Sequence, residues 1–264
     1  MAAVSERVQD GMNQWASAMG IYASTWQQAD TTHQDGIFRF WADSPFKLWN
    51  GLMLGGTIDN QETLLSRLAD AKHYMRQKSQ SGWLYLCPDH LSHLDVEAAT
   101  AKSGFVKKFS LVGMELTELP PISRNLTIGI DIARVTHQKA ADDFAAVVAE
   151  VFKTEIAICR AEFTHRGFWR EAAFAYIAYV DEEPVSVSSI IRSHNVLYVG
   201  LVCTRESFRN RGFSHALNHH ALADACGKSG LKRAFLHATQ LGFPVYKKLG
   251  FEPVMDLVAY SLSL

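Results

Sequence analysis

Val202-Cys203-Thr204-Arg205-Glu206-Ser207-Phe208-Arg209-Asn210-Arg211-Gly212-Phe213-Ser214 is the stretch whose reading decides the fold. The residues before it, Val196-Leu197-Tyr198-Val199-Gly200-Leu201, are β-branched, aromatic and apolar, and they predict a buried strand. The residues after it, His215 to Cys226, carry apolar side chains at helical spacing, with Gly227 and Gly230 as stop signals. A strand therefore runs into a basic, glycine-containing turn that opens a helix. The first amides of a helix have no partners within it, and they sit at the positive end of its dipole. Such a turn reads either as a solvated basic loop or as an anion site that suits a pyrophosphate. Gly212 favours the second reading, because a Cβ there would block close approach of an anion to the backbone.

Downstream, Ala234-Phe235-Leu236-His237-Ala238-Thr239 predicts another strand, and Gln240 to Phe251 a short helix closed by Gly250. With both segments in view the chain resembles the GNAT superfamily of acyl-CoA-dependent N-acyltransferases. Arg209-x-x-Gly212-x-Ser214 is similar to that family's pyrophosphate motif, Gln/Arg-x-x-Gly-x-Gly/Ala. Ala238-Thr239-x-x-Gly242-x-Pro244-Val245-Tyr246-Lys247-Lys248-Leu249-Gly250-Phe251 is similar to its second motif, which ends in Tyr-x-x-x-Gly-Phe. Ser214 departs from the usual Gly or Ala. The resemblance covers residues 126–264 and implies the order β–α–α–β–β–β–α–β–α–β–β.

The resemblance implies acetyl-CoA as co-substrate. Leu201, Val202 and Cys203 would bond its pantetheine arm through their main chains, between two strands that splay apart. Arg209, Asn210, Arg211, Gly212, Phe213 and Ser214 would wrap its pyrophosphate, the arginines adding charge-assisted contacts. Thr239, where many relatives carry an Asn, would offer a hydroxyl to the cofactor. Tyr246 occupies the position whose phenol protonates the leaving thiolate; the competing reading is a core tyrosine packing the short helix. An ammonium has no lone pair, so the acceptor amine needs a base or water chain. Glu171 and His237 are the candidates, each with a structural reading beside it.

The 264 residues allow one large domain or two small ones. A net charge of −1 gives no field that would recruit nucleic acid or an anionic membrane. No apolar run approaches the roughly 20 residues that span a bilayer, and the N-terminus lacks the plan of a signal peptide, so a cytoplasmic protein is expected. Cys87, Cys159, Cys203 and Cys226 are too dispersed for a metal ribbon or a disulfide framework and read as buried thiols. His215, His219 and His220 share a helix, but no zincin pattern surrounds them, so no metal is expected. Of the tryptophans, Trp15, Trp26, Trp41, Trp49 and Trp83 lie in the first half and Trp169 in the second; core packing or an aromatic acceptor pocket would each use them.

Leu119-Pro120-Pro121-Ile122-Ser123-Arg124-Asn125 is the expected domain boundary, since paired prolines continue neither helix nor ladder. It divides the chain into residues 1–120 and 121–264. The first part predicts a helix with Val8, Met12, Trp15, Met19 and Tyr22 on one stripe. Strands follow at 37–42 and 48–54, then a helix from Asn60, a strand at 83–86, a helix from 92 to 103 capped by Ser92, and a strand at 111–116. The second part predicts strands at 126–135, 172–180 and 185–191, and one helix over 142–161. Gly104, Phe105, Leu111, Val112 and Leu116 meet Gly250, Phe251, Leu257, Val258 and Leu262 at one constant offset, and Leu48-x-x-Gly51-Leu52 meets Leu197-x-x-Gly200-Leu201. A duplicated domain follows. Its first copy carries Gly55-Gly56-Thr57-Ile58-Asp59-Asn60-Gln61-Glu62 at the turn, acidic where a pyrophosphate would sit. That half is then a degenerate copy shaping the acceptor site or a dimer contact, or a plain packing domain.

The expected fold is thus α/β of the α+β kind: two tandem GNAT-like domains, each a mixed, mostly antiparallel sheet flanked by helices. The expected function is acetyl transfer from acetyl-CoA to an amine by direct attack. The alternative is an acyl-CoA-binding regulatory module without turnover. Expected partners are a small-molecule or peptide amine and a second copy of the chain, with neither nucleic acid nor membrane.

Overall fold

Residues 5–119, 129–164 and 173–263 are described by the computed structural model. In chain order they form α1 (Glu6–Ala23), β1 (His33–Gln34), β2 (Ile37–Trp41), β3 (Asn50–Leu54), α2 (Gln61–Arg76), β4 (Trp83–Leu86), α3 (Val96–Ser103) and β5 (Phe105–Leu116). There follow β6 (Asp131–Arg134), α4 (Gln138–Phe152), α5 (Ile156–Phe163), β7 (Ala173–Val180), β8 (Glu183–Ser193), β9 (Val196–Thr204), α6 (Phe213–Ser229), β10 (Ala234–Ala238), α7 (Phe243–Lys248) and β11 (Glu252–Leu262). The chain divides into two compact units, one of Met1–Gly113 with Pro253–Leu264 and one of Met114–Glu252.

The first unit carries the strand order β1-β2-β3-β4-β11-β5. β3 and β4 pair parallel, while β2 with β3 and β4 with β11 pair antiparallel. Side chains alternate across these strands. Leu52, Leu54, Leu84 and Leu86 pack with Leu64, Leu68 and Ala71 of α2. Phe40 and Tyr85 meet Trp15 of α1, at ring separations of 6.3 and 5.1 Å. The α1 stripe is buried as its spacing predicts, and Trp15, Trp41 and Trp49 are core residues. Both α3 and α7 are followed by a left-handed glycine, Gly104 (φ +81°) and Gly250 (φ +92°), then a buried phenylalanine, Phe105 and Phe251.

The second unit carries the order β10-β9-β8-β7-β6. β6 to β9 form an antiparallel meander, and β9 pairs parallel with β10. Every residue from Val185 to Ile191 in β8 is buried, as in a central strand covered on both faces. Both α4 and α6 pack on β8. The Tyr176 hydroxyl donates to Asp224, and His220 stands edge-on to the same ring, tying α6 to β7.

Several elements differ from the sequence reading. Lys47–Trp49 is a 3-10 turn rather than strand. Buried Asn50 bends the chain there, donating to Ser44 O (2.7 Å) and Ser81 O (3.0 Å) and accepting from Ser44 N (3.1 Å). α3 begins at Val96, not at Ser92. Asp95 Oδ1 caps it, accepting from Ala98 N at 3.0 Å. The helix expected over 142–161 is two, broken where Lys153 turns left-handed at φ +52°. Among the described residues one strand follows α7, where the family order implies two. The proline-containing connector and the start of the 126–135 strand lie largely outside the described residues, as do Glu171 and Trp169. No helix among the described residues is long and apolar enough to cross a membrane.

Side-chain caps close the N-termini of α1, α2, α3 and α4, and none closes α5, α6 or α7. Asn60 Oδ1 accepts from Thr63 N at 2.9 Å and closes the N-terminus of α2. Asn60→Ala is expected to lower the unfolding free energy by about 1 kcal/mol, read from urea denaturation. An unchanged midpoint would mean that the cap contributes nothing.

Candidate active site

The site is built where β9 bulges against β8 and its ladder with β10 ends. In the β8–β9 register Ser189 lies opposite Gly200 and Val187 opposite Cys203, so Leu201 and Val202 together face the single Ser188. This is a β-bulge, and Leu201 takes a left-handed φ of +50°. A branched side chain in that conformation is strained, and strain of this kind persists where the surrounding structure over-determines it. Here β8 does so: Ser189 Oγ donates to Gly200 O at 3.2 Å and Ser186 Oγ to Cys203 O at 3.0 Å. On the other side, β9 pairs with β10 from Leu197/Ala234 to Val199/Leu236 and no further among the described residues. The backbone of Leu201, Val202 and Cys203 thus continues beyond the ladder with β10, where the two strands no longer pair among the described residues.

The turn follows directly. Arg205 is held by Glu183 (2.8 Å) and Glu150 (3.3 Å), which fixes the exit of β9. Arg209 is exposed, and its Nε donates to Thr204 O at 3.2 Å. Arg211 lies over the rings of Phe208 and Phe213, 5.4 Å from each centroid. Asn210 and Gly212 are left-handed, at φ +61° and +84°. A Cβ on Gly212 would meet no protein atom within 4 Å, so the space before this glycine is open. No side chain caps α6, whereas Ser5, Asn60, Asp95 and His137 cap α1, α2, α3 and α4. The amides of its first turn face outward at the positive end of a long helix. Ser214 stands in that turn and accepts from Asn218 Nδ2 at 3.2 Å.

Tyr246 reaches the same region from α7. Its ring packs edge-on to Phe251 at 5.9 Å, and Gly242 leaves room for it: a Cβ there would lie 3.1 Å from Tyr246 Cε2. Burial pushes the phenol pKa above its ordinary value, and the nearby Cys203 thiol adds to the rise. Burial also drives the Cys203 thiol up, followed by a smaller contribution from Cys159, so Cys203 stays protonated at neutral pH and is no nucleophile. Thr239, at the end of β10, is exposed; its Oγ1 accepts from Gly242 N at 3.2 Å and shapes the turn into α7.

Burial pushes His237 down to about 3 from an ordinary 6.5. Its imidazole is neutral at pH 7, and a base that weak takes a proton from an ammonium only far uphill. The same shift bears on stability. Between pH 6.5 and about 3 the unfolded chain binds a proton here that the folded chain does not, so stability rises with pH across that window. Unfolding free energy is expected to fall on acidification below pH 6.5, by up to about 1.4 kcal/mol per pH unit from this residue. His237→Gln flattens that slope in urea titrations; an unchanged slope would rule out the buried neutral state. His215 is likewise pushed down, by burial and then by His219 and Lys248, and the described residues hold no cluster suited to a metal ion.

The matched region of the first unit is built differently. The β2–β3 register runs unbroken from Ile37/Leu54 to Trp41/Asn50, without a bulge. The β3–β4 ladder continues past Gly51 to Met53/Tyr85, whereas that of β9 stops before Gly200. The loop before α2 is occupied by protein, with His90 Nε2 donating to Gly56 O (2.7 Å) and His93 Nε2 to Ile58 O (3.0 Å). Bulge, ended ladder and uncapped helix occur together in the second unit and not among the described residues of the first.

Sequence reasoning missed the buried serines Ser186, Ser188 and Ser189 and the buried Asn218. Their signal was present: polar residues in a strand otherwise apolar, and an Asn one helical turn after Ser214.

Residues 137–259 match the model of a family described as an acetyltransferase (GNAT) domain. No curated protein matches the sequence. Among solved structures, a GCN5-related N-acetyltransferase from Kribbella flavida is similar at TM-score 0.71 and 14% identity, over 96% of this chain and 95% of that one. Another from Sphaerobacter thermophilus gives 0.60 at 13% identity, over 85% and 75%. A tandem GNAT protein from the clavulanic acid biosynthesis pathway gives 0.55 at 10% identity, over 98% and 96%. At these identities the likeness is one of fold: an α+β chain with mixed, mostly antiparallel strands and flanking helices, akin over its length to a tandem GNAT protein.

Proposed function

We propose that this chain, whose residues 137–259 match the model of an acetyltransferase (GNAT) domain, is an N-acetyltransferase that passes the acetyl group of acetyl-CoA directly to an amine. One observation carries the reading: the β9 bulge with its unpaired edge, the uncapped α6 turn and buried Tyr246 converge within the second unit. The main chain of Leu201, Val202 and Cys203 holds the pantetheine arm. The turn from Arg209 through Asn210, Arg211, Gly212 and Phe213 to Ser214 holds the pyrophosphate on amides and guanidinium groups. Thr239 borders the arm at the end of β10.

The amine nitrogen attacks the thioester carbonyl, and an amide C–N bond replaces the C–S bond. The departing sulfur takes the phenolic proton of Tyr246, the proton shed by the amine passes to water, and water returns a proton to the phenolate. A protonated Cys203 fits direct attack, since no thiolate competes for the acyl group. The acceptor is a small-molecule or peptide amine. Residues 1–120 are proposed as a degenerate copy of residues 121–264, which leaves the chain with one cofactor site and with a face for the acceptor or for a second copy.

Acetyl-CoA at a hundred times its Kd is expected to stabilise the protein by about 2.7 kcal/mol, seen as a raised melting temperature. No shift at millimolar acetyl-CoA would overturn the proposal. A shift without thiol release across an amine panel would instead favour a regulatory module that binds acyl-CoA.

A further inference from the structure

Ser214 is the one position of the pyrophosphate motif at which this chain departs from Gly or Ala, and the structure surrounds it with a buried polar relay. Asn218 is fully buried on α6, one turn beyond. Its Nδ2 donates to Ser214 O at 2.7 Å and to Ser214 Oγ at 3.2 Å. Its Oδ1 accepts from the hydroxyl of Ser188 at 2.8 Å, itself fully buried on β8. The amide has one workable orientation. Reversed, it would set Oδ1 against the Ser214 carbonyl, two acceptors with no proton between them. Ser214 Oγ is therefore held as an acceptor toward Asn218, and its own O–H proton is left to point elsewhere. Ser214 is partly exposed, beside Gly212 and the unpaired amides.

We infer that Asn218, braced by Ser188, is a positioning residue that presents the Ser214 hydroxyl as an additional donor to a pyrophosphate oxygen. The inference rests on the acetyl-CoA reading above and deepens it. The site then selects acyl donors that carry a nucleotide pyrophosphate over thioesters of bare pantetheine. The serine adds a donor where a glycine or alanine has none. Because the carboxamide holds Oγ in place and turns its proton away from Asn218 before binding, less rotamer freedom is lost when the anion arrives.

The test measures acetyl-CoA and S-acetylpantetheine side by side on the full chain. Ser214→Ala is expected to raise the Kd and KM for acetyl-CoA about tenfold with kcat unchanged, and to leave the KM for S-acetylpantetheine unchanged. Ser214→Thr keeps the hydroxyl and restores acetyl-CoA binding. Asn218→Asp is acceptor-only, so it turns the Ser214 proton inward, and adding Ser214→Ala to it costs no further affinity. Equal binding by wild type and Ser214→Ala, or equal losses on both donors, overturns the inference while leaving the acetyl-CoA proposal in place. Failure of the wild-type protein to bind acetyl-CoA removes both. Should Asn218→Asp not fold, the alanine and threonine variants decide alone.

Discussion

Gly212→Glu is expected to abolish the response to acetyl-CoA, weakening its binding by more than about a hundredfold, or roughly 3 kcal/mol. Two effects combine. Gly212 holds a φ of +84°, where any side chain is strained by about 1–2 kcal/mol. That cost falls on folding and is tolerable, because a Cβ there meets no protein atom within 4 Å. The larger effect is on the ligand. The new carboxylate occupies the open space before the α6 amides, satisfies them from within and repels a pyrophosphate. Gly212→Ala shares the strain and lacks the charge, so it separates the two: a loss of stability with a smaller loss of affinity. Calorimetric titration of folded Gly212→Glu with acetyl-CoA reads the result. Retained affinity would place the pyrophosphate elsewhere and end the assignment of this turn.

That turn was legible because its signals are local. An apolar run ends, a glycine must turn left-handed, and helical spacing begins within a few residues of Gly212. The bulge was not legible. Leu201 carries no sequence mark of a left-handed residue, and its conformation comes from the register with β8 and from two serine hydroxyls. Ser186, Ser188 and Ser189 read merely as interruptions of an apolar strand until their partners, carbonyls of β9 and an amide of α6, are in place. The start of α3 was misplaced for a related reason. Ser92 and Asp95 both satisfy capping chemistry, and the choice is made by Gln61, whose side chain accepts from Asp95 N at 3.1 Å and donates to Asp95 O at 2.9 Å. Strand β11 gives the same lesson at longer range. The resemblance implies a strand there, but only the register of Val258 with Leu86 and Tyr260 with Leu84 shows that it completes the sheet of the first unit. The reading of the first half rested on acidic residues at its turn; the β3–β4 ladder and the Asn60 side chain that caps α2 are features of the folded chain that the sequence does not show at that turn.

Tyr246→Phe is expected to lower kcat by about a hundredfold or more, the scale of losing a positioned general acid, with acetyl-CoA affinity nearly unchanged. The substitution isolates the hydroxyl. A phenylalanine ring keeps the edge-on contact with Phe251 and the fit against Gly242, so α7 and the strand after it are undisturbed. The sign of the pH dependence follows from burial, which holds the phenol protonated beyond its ordinary range. A wild-type profile should then rise with pH as the acceptor amine loses its proton, and it should show no alkaline fall below pH of about 10 from this residue. Without the hydroxyl, the sulfur leaves as a thiolate with no donor beside it. The penalty is then greatest for thiols of high pKa and shrinks for acyl donors with more acidic leaving groups, such as an aryl thioester of the same pantetheine arm. A kcat in Tyr246→Phe equal to wild type, or a loss independent of the leaving group, would return Tyr246 to a packing residue of α7 and leave the thiolate to be protonated by water.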